Sequence, residues 1–471
     1  MKKLSFKLLC KKSIICLTCL LFASMSFSEE SISKDVTSEK SVSVKEVSPE
    51  QKEIVLTIQD AVDYSLKNSV SIKTAQIDLE LAKWKKDTAW NSFIPTVQTT
   101  GTFARKNELT LNPLMPVSET ESMHWNVMGN LSVSFNFNVA MIQQMRATIA
   151  SYESGKITWE QALLNNEKTI SQLFYGLLLQ QESLKLQEDS LENARGRMNQ
   201  AWTNYRNGYV PQISYLQAQV AYENQVPVVE KLRMQLSQSL DSFAFLIGLP
   251  SNSKIKLQGE INPAIITLDV EKLLEKGLSD NLTVRSLDEQ LKILKLQANA
   301  GDLSCFTPSL ALSWNGNPLI TNAFDTDWGN SDNWMDQGSF SITLAWNLTN
   351  MLPWSTTRSG IKELKDNVSK LEIQRDSMIR KVELDIRTAV DSLKQCEQAI
   401  NTSKRNIDLA QKYYNLTWNA YQNGTTEYLD LKEAQMQLDQ AKLSLLSEKY
   451  NYMMSLMDLE NILNTKLSGD K

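Results

Sequence analysis

From residue 130 to 139 the chain reads NLSVSFNFNV, and from 339 to 348 it reads SFSITLAWNL. In the first stretch Leu131, Val133, Phe135, Phe137 and Val139 take every second place, with Asn130, Ser132, Ser134, Asn136 and Asn138 between them. In the second, Phe340, Ile342, Leu344, Trp346 and Leu348 alternate with Ser339, Ser341, Thr343, Ala345 and Asn347. A period of two predicts strands with one apolar and one polar face. TVQTTGTFA at 96–104 and SLALSWN at 309–315 supply the partners, so two β-hairpins are predicted, at about 96–139 and 309–348. Polar loops, 105–126 and 316–337, would close them.

Elsewhere the period lengthens to that of a helix. Residues 140–206 and 355–422 contain almost no breaker and predict helices of 67 and 68 residues. At 1.5 Å per residue each spans about 100 Å. Gly155 and Gly176 weaken the first without having to break it. Return helices follow at 214–249 and 427–465. In the latter, one stripe runs Leu438, Ala441, Leu445, Tyr452, Leu456, Leu459, Leu463, and a second runs Leu443, Leu446, Tyr450, Met453, Met457. Two stripes let a helix pack neighbours on both sides, as a stave does in a cylinder; burial in a thick globular bundle is the competing explanation. Upstream of each hairpin lie a short helix (56–68, 268–279) and a medium one (70–93, 282–305). Pro95 and Pro308 end the medium helices, because proline lacks the backbone donor and disfavours helix at the residue before it.

The same order of parts occurs twice. WTNYRNGYV (202–210) and WNAYQNGTT (418–426) lie 216 residues apart, as do Gln219 and Gln435. LTIQDAVDYSLKNSV (56–70) and LDVEKLLEKGLSDNL (268–282) differ by 212, and FIPTVQ (93–98) and FTPSLA (306–311) by 213. Two copies of one structural unit are expected: a first repeat at 53–262, with its helical hairpin at 140–249, and a second at 263–467, with its hairpin at 355–465, before a tail at 468–471. The duplicated nonapeptide reads as the turn at the far end of each hairpin. Its glycine frees the backbone to leave a helix, and the preceding Asn tolerates left-handed geometry.

Composition changes the picture mainly at the N-terminus. Lys2, Lys3, Lys7, Lys11 and Lys12 precede IICLTCLLFA and then SMSFS, the order of a secretory signal, here 1–28; a lipid anchor on Cys19 is the alternative. Residues 29–52 read as a disordered polar leader. Beyond the signal no apolar run is long enough to cross a bilayer as a helix. Net charge is −5, with basic and acidic residues interleaved, which gives no footprint for nucleic acid. Cys305 and Cys396 fall far apart in this layout, so no disulfide is expected. His124 stands alone, with no CxxC and no Gly-rich phosphate loop; no cofactor, metal site or enzymatic constellation is expected.

An exported chain with alternating strands suits a membrane better than a soluble sandwich. The polar strand face is Asn and Ser with few charges, and Trp125, Trp314, Trp328, Trp334, Trp346 and Trp354 cluster around the strand ends, where an interfacial belt belongs. Four strands cannot close an outer-membrane barrel, and an open edge cannot face lipid. The barrel must be shared between copies.

In this duplicated order, and in its tip motifs of the form Y-x-x-G, above all YQNGTTEYLDLKEAQ at 421–435, the chain resembles the outer-membrane efflux channel family typified by TolC, over about 56–467. The resemblance implies a mainly α fold with a small β part. It would be a long α-helical barrel continuing into an outer-membrane β-barrel shared by three chains, with two structural repeats per chain. It implies a homotrimer set in outer-membrane lipid and reaching into the periplasm. The function implied is the passive exit duct of a tripartite efflux or type I secretion system. A periplasmic adaptor (membrane fusion protein) and an inner-membrane transporter of the RND, ABC or MFS type would open its tip. Asn207, Gly208, Tyr209 and Val210, with Asn423, Gly424, Thr425 and Thr426, look like the adaptor-contacting tips. Tyr421, Asp430 and Glu433 match the family's tyrosine and acidic gate positions. Thr426 holds the arginine position, so Arg206 of the other tip is the candidate replacement. Asp430 and Glu433 share a helix face, and threefold symmetry would ring the mouth with their carboxylates; an ordinary solvated pair is the alternative. Trp125, Trp314, Trp346 and Trp354 would mark the membrane interface. The competing function is a periplasmic coiled-coil scaffold or adaptor without a pore, which should carry one helical hairpin flanked by β-rich modules.

Overall fold

The computed structural model describes residues 54–107, 124–250 and 253–467. The expected signal (1–28), leader (29–52) and tail (468–471) lie outside them. In order come β1 (Ile54–Leu56), α1 (Ile58–Asn68), α2 (Val70–Asp87), a 3-10 turn (Ala89–Phe93), β2 (Thr96–Arg105) and β3 (Trp125–Phe137). Two long helices follow, α3 (Ala140–Arg206) and α4 (Gln212–Ile247). The second half has β4 (Ile255–Leu257), α5 (Val270–Asp280), α6 (Leu282–Phe306), β5 (Ser309–Gly316), β6 (Pro318–Thr321), β7 (Met335–Asp336) and β8 (Ser339–Ala345). It ends in α7 (Thr356–Gln422) and α8 (Tyr428–Leu463).

α3 and α7 have 67 residues each, about 100 Å of unbroken helix. Gly155 and Gly176 sit inside α3 without ending it. α7 begins one residue later than the pattern suggested, because Ser355 is its cap: the Ser355 hydroxyl accepts from the Arg358 amide at 3.2 Å. The return helices α4 and α8 each start and stop a residue or two away from the expected bounds. Periodicity gave no sign that α4 carries Pro227 in its interior. That residue has no N–H for the Glu223 carbonyl, yet the helix runs on to Ile247.

The helices lie side by side in an open row. Next to the sheet the order is α2–α3–α6–α7; towards the turns it is α4–α3–α8–α7. The two stripes of α8 face different neighbours. Tyr452, Leu456, Leu459 and Leu463 are buried with Val382, Ile386, Val390, Leu393 and Ile400 of α7. Leu446, Tyr450 and Met453 instead pack on the cluster built by Ile170, Phe174 and Leu177 of α3 and Phe243 and Ile247 of α4. The duplication is written into these cores. Ile170, Phe174, Leu177, Phe243 and Ile247 each lie 216 residues before Ile386, Val390, Leu393, Leu459 and Leu463. β1 and β4, which open the two repeats, pair in parallel beside the first cluster.

The main sheet runs β2–β3–β5–β8, all antiparallel. β6 continues β5 against β3 without a change of register, since Leu131 pairs with Gly316 and Met128 with Leu319. β7 continues β8 in the same way, Leu319 pairing with Met335 and Asn315 with Ser339. The expected polar loop 316–337 therefore begins and ends in strand, and the true turn is 322–334. Alternation weakens there because Pro318 and Asn317 interrupt it, although the backbone still pairs. One sheet face carries Val97, Val133, Trp314 and Phe340 in a single row across all four strands. The opposite face carries Thr96, Ser134, Ser313 and Ser341, then Gln98, Ser132, Asn315 and Ser339. The hydroxyls of Ser313 and Ser341 are 2.7 Å apart.

Trp125 begins β3, and Trp346 and Trp354 follow β8. Trp314 differs from the expectation: it is mid-strand, opposite Val133 and Phe340. At the outer strand end the Trp125 ring stacks on Phe103 at 4.8 Å and meets Phe324 edge-on at 5.6 Å. His124 closes the other side of that end, its Nδ1 lying 2.7 Å from the Lys106 carbonyl. Cys305 and Cys396 are free thiols.

Candidate functional site

At the sheet-distal end, α3 turns into α4 through 207–211 and α7 into α8 through 423–427. Both turns close the same way. The Gly208 amide bonds to the Tyr205 carbonyl at 2.9 Å and the Tyr209 amide to the Asn204 carbonyl at 2.8 Å. In the second turn the Gly424 amide reaches the Tyr421 carbonyl at 3.0 Å and the Thr425 amide the Ala420 carbonyl at 3.0 Å. These are paired reverse bonds that satisfy the last carbonyls of a helix, and they require a left-handed residue. Gly208 (φ 75°) and Gly424 (φ 70°) supply it. The preceding asparagines keep negative φ, −86° at Asn207 and −84° at Asn423. Tyr209 is among the most exposed large side chains, at 78%. Val210 is half-buried, and Thr425 is exposed, with its hydroxyl donating to the Ala420 carbonyl at 2.9 Å.

Each turn is braced by three aromatic rings. Trp202, Tyr205 and Tyr215 have centroids 5.1 to 6.4 Å apart. Trp418 lies 6.3 Å from Tyr421, which lies 6.1 Å from Tyr428. Tyr421, the expected gate tyrosine, is thus half-buried in packing. Burial pushes the Tyr421 and Tyr428 phenols up, and the positive charge of Arg197 opposes it at both.

That arginine is the feature local motifs missed. Arg197 projects from α3 of the first repeat and donates to Gln435 Oε1 on α8 of the second, at 3.3 Å. Gln435 is buried and passes the contact on, its Nε2 donating to Asp439 Oδ1 at 2.8 Å. Arg206, the expected replacement, is exposed and makes no ion pair or side-chain hydrogen bond among the described residues. It sits on the last turn of α3, whereas Arg197 is more than two turns back, level with Gln435. The only sequence signal for the pair was Gln435 itself, which repeats Gln219.

The two expected mouth carboxylates differ in environment. Asp430 closes the capping box at the start of α8: it accepts from the Thr426 hydroxyl at 2.5 Å and from the Glu427 amide at 3.4 Å. Thr426, at the expected arginine position, therefore holds Asp430. Glu433 is exposed and accepts from the Gln437 side-chain amide at 3.3 Å, on its own helix. Glu433 points away from the stripe of buried Leu431, Ala434, Gln435 and Leu438, and Asp430 borders it, one turn before Ala434. No group of three or more His, Cys, Asp or Glu placed to hold a metal occurs among the described residues.

The family model described as outer membrane efflux protein matches residues 61–249 and 287–465. A probable efflux pump outer membrane protein of Pseudomonas putida, TtgC, is 20% identical over 427 residues, 85% of this chain and 81% of its own. An antibiotic efflux pump outer membrane protein of the same species, ArpC, matches equally. Among solved structures, the Campylobacter jejuni CmeC outer membrane channel superposes with a TM-score of 0.74 at 16% identity, covering 88% of this chain and 87% of that one. The outer membrane protein VceC of Vibrio cholerae gives 0.71 at 14% identity, with 87% and 97% covered. The open-state MtrE channel of Neisseria gonorrhoeae gives 0.68 at 16%, with 87% and 89% covered.

Proposed function

The chain belongs to the outer membrane efflux protein family, and from that premise we propose that three copies close into one passive duct, a β-barrel in the outer membrane continued by a helical tunnel through the periplasm. The observation that carries this is the pair of free sheet edges. Among the described residues β2 pairs only with β3 and β8 only with β5. In lipid each unpaired backbone group is costly, so the edges must meet edges of other copies. Two chains would reach only the eight strands whose interior side chains fill; three give twelve and leave a lumen. The helical row has matching open flanks. α2 exposes Val70, Ile77, Leu81 and Trp84 on one side, and α7 exposes Ile373 and Leu384 on the other.

The tips are the gated entrance. Tyr421 with its ring partners, Asp430 held by Thr426, and exposed Glu433 line the second hairpin's end, and Arg197 joins that hairpin to the first. The residues 207–210 and 423–426 present the surface that a periplasmic adaptor would grip, with an inner-membrane transporter behind it supplying the energy. Drug efflux and type I protein secretion both fit such a duct. The likenesses to outer-membrane proteins lend no support to a pore-less scaffold.

The test is direct. The chain should fractionate with the outer membrane, run as a heat-modifiable oligomer of three copies, and conduct in planar bilayers. Release as a monomer by osmotic shock would overturn the proposal.

A further inference from the structure

Along the polar sheet face, one row breaks the rule. Moving outward from the helices, successive rows hold hydroxyls, amides and the small Ala345 and Ala311, with no charged side chain, up to Asn130, whose amide donates to Asn317 Oδ1 at 2.7 Å. The next row is Thr102, Met128, Leu319 and Met335, aligned by the pairs Thr102–Met128, Met128–Leu319 and Leu319–Met335. This is no slip of register, because the neighbouring pairs Gly101–Gly129 and Pro318–Asp336 belong to the other face, and the next row on this face, Asn126 with Thr321, returns to polar. Met128 and Met335 are 41% and 46% exposed, with no segment of the described chain covering them. The lipid-side counterpart at this level is already covered: Ile320 is fully buried.

Resting on the duct proposed above, we propose that Met128, Leu319 and Met335 form an apolar ring in the lumen near the extracellular end, which slows hydrated ions without stopping them and passes apolar or amphipathic solutes freely. Three copies would set nine large apolar side chains at one level of a wall that otherwise carries hydroxyls, amides and alanines. Twelve strands fall between the eight that side chains fill and the sixteen to eighteen that leave a wide aqueous channel, so a single row of long side chains narrows the passage. Water leaves an apolar constriction readily, and ions then lose their hydration there. A solute with apolar surface meets no such barrier, and the unbranched thioether chains of Met bend to its shape. The wall below carries no fixed charge, so within the strand-built part the ring is the selective element.

Accessibility of a site beneath the ring tests this independently of the periplasmic entrance. Ser313→Cys lies three rows further in. Whole cells are treated from outside with a charged, membrane-impermeant methanethiosulfonate, and background from Cys305 and Cys396 is taken from the otherwise unsubstituted chain. Behind the intact ring labelling should be slow. Adding Met128→Ser, Leu319→Ser and Met335→Ser should speed it at least about tenfold. Met335→Ser alone should give a smaller increase, which keeps the test open if the triple variant fails to assemble. Met128→Leu with Met335→Leu keeps the row apolar and should label as slowly as the intact ring. Equal rates in the serine and leucine variants would overturn the ring. Absence of labelling in every variant, serine variants included, would mean that the polar face is no lumen; the duct itself would then be wrong.

Discussion

Arg197 and Gln435 are 238 residues apart in sequence, and their contact is the polar tie between the two hairpins at the tip. A hydrogen bond from a charged donor to a buried acceptor contributes about 1.5–3 kcal/mol, and removing the donor leaves the acceptor unsatisfied. Arg197→Ala should therefore loosen the second tip and raise resting conductance in planar bilayers several-fold, whereas Arg206→Ala should leave it unchanged. If the two variants behaved alike, the tie would not restrain the gate. The acidic pair gives a second prediction. Asp430 is occupied by the Thr426 hydroxyl and a backbone amide, while Glu433 faces solvent. Block by multivalent cations should be mostly lost in Glu433→Gln. Asp430→Asn should instead cost helix stability, about 1 kcal/mol as for a lost cap, with block largely kept. Equal loss of block in both would restore a symmetric pair. At this scale the sequence was only partly legible. Gly208 and Gly424 declared the turns, because only glycine adopts their backbone cheaply. Thr426 could be read as a departure from the family, but its role as a cap to Asp430 and the reach of Arg197 depend on how two repeats dock. No local spacing encodes that.

Among the elements, α8 shows how a helix comes to act as a stave. Its stripes are offset around the axis, so one packs on α7 and the other on the α3–α4 cluster. Leu459 is fully buried in the first, and truncating it leaves a cavity. Leu459→Ala should cost about 2–5 kcal/mol and lower the temperature at which the oligomer falls apart on a gel. Met436→Ala, on an exposed site of the same helix, should stay within about 0.5 kcal/mol. Comparable shifts in both would mean that the α7–α8 core does not set the oligomer's heat resistance. The long helices and their stripes were legible because period and length are strong signals. The strand ends were not: Asn317 and Pro318 look like turn residues, yet backbone pairing carries β5 on into β6. Pro227 was equally silent, since it stands on an exposed face of α4 where one missing bond is tolerated.

For the whole molecule, every layer has two free margins: β2 and β8 in the sheet, α2 and α7 beside it, α4 and α7 towards the turns. One chain satisfies its backbone and apolar surface only in the middle of each layer. The margins are where apolar side chains stand exposed at helical spacing, Ile77, Leu81 and Trp84 on α2 and Ile213, Leu216 and Val220 on α4. Such stripes on a lone chain in water are a liability, whereas between copies they become the seam of a cylinder. Ile77→Asp with Trp84→Asp would bury unpaired carboxylates at that seam, and leaving a charge unpaired there costs about 3–5 kcal/mol. The double variant should still be exported and keep its helix content, because neither side chain enters a core of its own chain. It should fail to give the heat-modifiable band, and β2 and β8, left unpaired, should become sensitive to protease in isolated membranes. A variant that still ran as a trimer would place the seam on another face of α2, and the order of helices around the tunnel would have to be redrawn.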